Sequence, residues 1–221
     1  MKLEDKTLHT PTVPLSRTSP LKSLSHANAV LHDTIQTKEM LTFVFKYMHT
    51  GLVQHMAQHS GGSQSHSIML FMFQRLRGLA SIHRQHILHH DPKPQNLLIG
   101  CLHELKLADF GDLAHAKPIP SQTYSSEMGT LWYHPHDALR GTTKYPSDLD
   151  IWSAGCLFVE MIQGQPKFAG TSGALEQLEN IWEVLGVPTE DTWPGLDELP
   201  NYKPELVVSR RAPRLRVPRG R

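Results

Sequence analysis

Apolar and polar positions along this chain follow first a strand period and then a helical one. Residues 1–24 carry Pro11, Pro14 and Pro20 among Ser, Thr and Lys and read as loop. Leu41–Phe45 is rich in β-branched and aromatic residues and predicts a strand. Ser60–Ser65 is a flexible turn. Ile68, Phe71, Met72, Leu76, Leu79 and Ala80 then recur at the spacing of one helical face. Two short strands are expected at Asn96–Ile99 and Leu105–Ala108, with a tight connection, and 121–129 reads as loop. Ser147 to Asp150 has the form of a capping box. It precedes Ile151–Ile162, a run apolar nearly all round and so expected as a buried helix. Leu175, Leu178, Ile181, Trp182 and Leu185 mark another helix, which Gly186 and Pro188 stop. Residues 187–205 read as irregular. There is no internal repeat. Strands followed by helices predict an α+β fold.

Composition narrows this little, and charge more. The 221 residues carry 22 Lys+Arg against 21 Asp+Glu, a net of +1. Six of those arginines (Arg210, Arg211, Arg214, Arg216, Arg219 and Arg221) fall after Leu206, where there is no acid. The rest of the chain is therefore acidic, with a short basic tail. That tail has no aromatic interleaving and no helical face, so a solvated segment is expected and no nucleic-acid contact. Two cysteines, Cys101 and Cys156, fit a reducing compartment. No apolar run approaches the length of a membrane span. The expectation is a cytoplasmic or nuclear chain.

The chemistry is concentrated in one stretch. His89, His90, Asp91, Pro92, Lys93, Pro94, Gln95 and Asn96 are followed by Asp109, Phe110 and Gly111. This order resembles the catalytic loop and DFG motif of protein kinases. Trp132–Asp137 and Asp150–Cys156 follow in the same family's order. The stretches at His26–Asn28, Leu41–Met48, Gln95–Ile99, Tyr124–Tyr133 and Leu175–Tyr202 resemble cyclin-dependent kinases, and among them the PFTAIRE-type subgroup.

The resemblance covers residues 11–205 and implies a bilobal fold, ATP with magnesium, a cyclin partner and Ser/Thr protein substrates. It places Asp91 at the attacking hydroxyl and Lys93 at the transferring phosphate. Asn96 and Asp109 become the metal ligands. Phe45 falls at the gatekeeper, Tyr47 and Met48 at the hinge beside adenine, and Leu98 and Ala108 beneath the ring. Ser125 falls at the activation-loop position and is the candidate phosphosite. In domain terms, 1–24 is a poorly formed remnant of the cyclin-docking helix and 25–48 is a partial small lobe with hinge. Residues 49–205 are a mainly helical large lobe, incomplete at its C-terminal end, and 206–221 is a basic disordered tail.

Departures from the family pattern change the expected activity. No glycine precedes Gly51, so the Gly-rich phosphate cover is missing, as is the small-lobe lysine. The acid that pairs with that lysine falls at Arg17, of opposite sign. Pro14 and Pro20 fall inside the docking helix, each costing about 3 kcal/mol, which puts cyclin binding against the sequence. Three arginines that clamp the phosphorylated loop fall at Ser16, His90 and His115, and none can grip a phosphate in two bonds. Pro92 removes a backbone donor beside Asp91, Asp112 is a one-residue insertion, and Gly51 replaces an acid near the ribose.

The histidines at 83, 86, 89 and 90 are read as part of the family pattern, not as a zinc site. The reading is a catalytically dead kinase relative, a pseudokinase. Its alternatives are a non-catalytic fragment that competes for kinase partners and an inert product of a degenerate gene copy. The strand at Leu41–Phe45 is expected to lack neighbours. The helices at Ile151–Ile162 and Leu175–Leu185 are expected to leave apolar faces exposed, with poor solubility.

Overall fold

A computed structural model describes residues 31–37, 41–59, 64–85, 88–89, 93–108, 131–141 and 147–201. The chain divides into two compact units, Met1–Ala116 and Lys117–Arg221. The expected loop at 1–24 and the tail after Leu206 lie outside the described residues, as does most of the turn at 60–65.

In the first unit, β1 (Leu31–Gln36) and β2 (Leu41–Phe45) form an antiparallel pair in which Gln36 faces Leu41 and Leu31 faces Phe45. The strand expected to stand alone therefore has a neighbour. Asp33 and Gln36 interrupt the apolar pattern of β1, so its strand character comes from pairing and not from local composition. β3 (Thr50–Gly51) leads directly into α1 (Leu52–Gln58), a helix that the sequence reading did not contain.

α2 (Ser65–His83) buries Ile68, Phe71, Arg75, Gly78, Leu79 and Ile82. Its face is rotated from the expected one: Leu76 is 44% exposed, and Arg75 takes an inward position at 1%. Hydropathy alone ranks Arg75 as a surface residue, so periodicity could not find it. β4 (Leu97–Ile99) pairs antiparallel with both β3 and β5 (Leu105–Leu107), close to the expected strand bounds. Leu97, Ile99, Leu105 and Leu107 are buried, each contributing roughly 1.5–3 kcal/mol. Gln74 of α2 accepts from the Leu105 N–H and donates to the His103 carbonyl at 3.3 Å, which pins the sheet to the helix.

In the second unit, a 3-10 turn at Leu131–Tyr133 precedes three helices: α3 (His136–Leu139), α4 (Asp148–Gln163) and α5 (Ala174–Leu185). The helix α4 starts one turn earlier than expected, and Ser147 makes no side-chain cap bond, so the capping box is not formed. Gly164 ends α4 at φ 77°, where a side chain would be strained. Tyr133, Leu139, Cys156, Phe168, Leu178, Ile181 and Trp182 form the core. The α4–α5 connection is stitched to that core. Trp132 Nε1 donates to the Gly170 carbonyl at 2.8 Å, and the Gly170 N–H donates to Gln177 Oε1 at 3.0 Å. A Cβ at Gly170 would come within 2.9 Å of the Gln177 backbone, so only glycine fits.

α4 is not buried all round: Ile151, Phe158 and Ile162 are 48%, 40% and 50% exposed. Leu175 and Leu185 of α5 are also exposed. Exposed apolar stripes of this kind drive association. The double variant Ile151→Lys/Ile162→Lys is expected to raise the monomeric fraction in size-exclusion chromatography. Its melting transition should move little, because half-exposed positions cost about 0.5 kcal/mol or less. Among the described residues, no helix is long and apolar enough to cross a membrane.

Candidate functional site

The sequence-designated residues that are described all belong to the first unit. Lys93 is half-buried with extended backbone (φ −102°, ψ 162°) and caps a 3-10 turn at Pro94–Asn96. Proline suits the first position of such a turn, whose opening N–H groups have no partner. The Asn96 N–H donates to the Lys93 carbonyl at 3.0 Å, and Asn96 is buried where the turn enters β4.

The Ala108 N–H then donates to the Asn96 carbonyl at 2.8 Å. One backbone bond thus sets Asn96 beside the residue that precedes Asp109. From the other side, His89 Nε2 donates to the Ala108 carbonyl at 2.9 Å, and His89 is buried. Ala108 is held through both of its backbone polar groups, and these bonds join His89 and Asn96 to the end of β5.

His89 is a structural staple that the sequence reading passed over as one histidine in a run. Its signal was present only as position: the residue two before Asp91. Removing it leaves a carbonyl without this donor, at roughly 1–3 kcal/mol. His89→Ala is therefore expected to speed hydrogen exchange at the Ala108 amide by tenfold or more, while the Leu107 amide changes less.

Leu98 lies opposite Gly51 in β3 and Lys106 in β5. Leu97 and Ile99 are buried whereas Leu98 is half-buried, so Leu98 faces away from the α2 side of the sheet. Lys106 is half-buried across from it, and desolvation is the first cause holding its ammonium below the usual lysine range. Ala108, two residues beyond Lys106, shares that face by strand period. Gly51 presents no side chain there.

Phe45 closes β2 at 41% exposed, Tyr47 is 78% exposed, and Met48 is half-buried on the way to β3. Asp91, Pro92, His90, Asp109, His115 and Ser125 lie outside the described residues, as do Pro14, Ser16, Arg17 and Pro20. Of the run at 83–90, His86 and His90 are likewise outside.

A family model for the protein kinase domain matches residues 4–212. The chain is 68% identical to cyclin-dependent kinase 15 of Homo sapiens over 196 residues, which is 88% of this chain and 45% of that protein. It is 60% identical to cyclin-dependent kinase 15 of Danio rerio, over 90% of this chain and 47% of the relative. With cyclin-dependent kinase 14 of Callithrix jacchus the identity is 57%, over 89% and 46% respectively. The chain spans less than half the length of these curated relatives. The small antiparallel sheets and the helices after them agree with part of a kinase α+β fold. With a kinase model matched along nearly its whole length, the chain belongs to the protein kinase family, among relatives of the PFTAIRE-type cyclin-dependent group.

Proposed function

We propose that this chain is a cyclin-dependent-type Ser/Thr kinase relative that no longer transfers phosphate. In this reading it acts in the cytoplasm or nucleus as a binding fragment that competes for the protein partners of intact kinases. The observation that carries the proposal is the loss of the phosphate clamp. Ser16, His90 and His115 stand where the family pattern has arginines. A charge-assisted bond contributes roughly 1.5–3 kcal/mol, so a phosphate on Ser125 would order little without those partners. Arg17 adds a sign reversal at the position of the helix acid, and Pro92 stiffens the backbone at Asp91.

The nucleotide side of the site is better preserved. Asn96 and Asp109 offer oxygen donors, which suit a hard divalent cation such as magnesium. The bond between Ala108 and Asn96 supports their adjacency. Lys93 would meet a phosphate, and Phe45, Tyr47, Met48, Leu98 and Ala108 would surround the base. Magnesium ATP, when bound, would supply the transferable phosphoryl group and the charge that neutralises its oxygens. The residues fit the group in part: Gly51 has no acid for the ribose. Cyclin docking is expected to be weak, since Pro14 and Pro20 interrupt the element that the family uses for it.

The test is phosphate incorporation into a Ser-Pro peptide by the purified chain, with its cyclin and with magnesium ATP. No incorporation above that of Asp91→Asn is expected. Incorporation that Asp91→Asn abolishes would overturn the proposal. A parallel pull-down is expected to retain a substrate protein of the intact relatives. Capture of nothing would favour an inert chain over a binding fragment.

A further inference from the structure

Two histidines outside the kinase-like site lie at the end of α1, His55 in its last turn and His59 at its C-cap. His55 and His59 are four residues apart, so their side chains project from one helical face. Their ring centroids are 4.4 Å apart, at an interplanar angle of 33°. His59 Nδ1 lies 2.7 Å from the His55 carbonyl. A carbonyl only accepts, so Nδ1 carries the proton and Nε2 keeps its lone pair. Metal-bound histidines are oriented in this way, with one ring nitrogen donating to a carbonyl and the other free to ligate. His55 is steered by an edge contact with Phe71 of α2, at 5.3 Å and 84°.

We propose that His55 and His59 form a two-nitrogen chelate for a first-row transition-metal ion, Zn(II) or Cu(II). Among the described residues no three His, Cys, Asp or Glu side chains converge into a ready cage. Water therefore completes the coordination sphere, and binding is weaker than at a four-ligand structural zinc site. Imidazole pairs favour Cu(II) over Zn(II).

The test uses the full chain and the metal chlorides in a non-chelating buffer. Calorimetric titration is expected to show one more Cu(II) site per chain than in His55→Gln/His59→Gln, with Zn(II) weaker at the same site. Each single variant should lose tenfold or more in affinity, and His66→Gln, on α2, should lose none. The paramagnetic resonance spectrum of the Cu(II) form should carry splitting from two imidazole nitrogens, reduced to one in either single variant. Unchanged stoichiometry and an unchanged spectrum in the double variant would overturn the proposal. Circular dichroism of each variant separates loss of the site from loss of α1.

Discussion

Trp182→Ala is expected to destabilise the second unit by about 3–5 kcal/mol and to abolish its cooperative transition. Trp182 is 4% exposed and sits in the core with Tyr133, Leu139, Phe168, Leu178 and Ile181. The Arg140 guanidinium carbon lies 5.4 Å from its ring centroid, and the His136 ring lies 5.8 Å from it. Truncation would remove the surface on which α3 packs against α5 and leave a cavity that short helices cannot close. One term works the other way. The Trp182 indole N–H is buried with no hydrogen-bond partner among the described residues. Trp182→Phe keeps most of the packing and removes that N–H, so it should cost about 1 kcal/mol or less. Urea unfolding followed by far-ultraviolet circular dichroism measures both. Equal losses in the two variants would sink the packing explanation.

The second large effect is acid sensitivity centred on His136. This residue is 5% exposed, between Trp182 and Trp193. Arg140 Nε donates to His136 Nε2 at 3.2 Å, which places the imidazole proton on Nδ1, a buried atom with no partner among the described residues. Burial first, and the Arg140 charge second, push its pKa from 6.5 down to about 4. The unfolded chain therefore binds this proton more readily than the folded one. The stability contributed is full above about pH 6.5 and is lost as pH falls toward 4, about 3 kcal/mol in all.

Asp137 and Glu160 oppose this trend. Burial raises both, so acid relieves them, although the Tyr133 hydroxyl donating to Glu160 at 2.7 Å offsets part of the cost there. Glu176, held near 2 chiefly by the Ser172 N–H and hydroxyl, titrates below this window. The decisive readout is thus the difference between the wild-type chain and His136→Gln. The variant's acid limb should be flatter by up to about 3 kcal/mol between neutral pH and the acid end of the window. Parallel limbs would falsify the assignment.

β2, β4, β5 and the longest helices were legible because each has a local signature. β4 and β5 are short apolar runs around a tight turn, and α5 has regular apolar spacing with Gly186 at its stop. β1 was not legible, because its strand character depends on β2 across the hairpin. The inward face of α2 was only half legible, since a buried arginine and a glycine occupy positions that hydropathy assigns to the surface. Nor did local pattern reveal the short helices α1 and α3, which are too brief to show a period.

At the candidate site, motif order alone named Lys93, Asn96, Leu98 and Ala108. It could not show that His89 and Asn96 together hold both backbone polar groups of Ala108. The sequence by itself determined the family and the order of its motif residues. These are matters of chemical identity and order, which survive without a fold. Only the tertiary structure decided which groups meet: the His89 staple, His136 in its aromatic setting, and the paired imidazoles at the end of α1. Such contacts arise from burial and from hydrogen bonds between residues distant in the chain or one turn apart, and no local pattern records them.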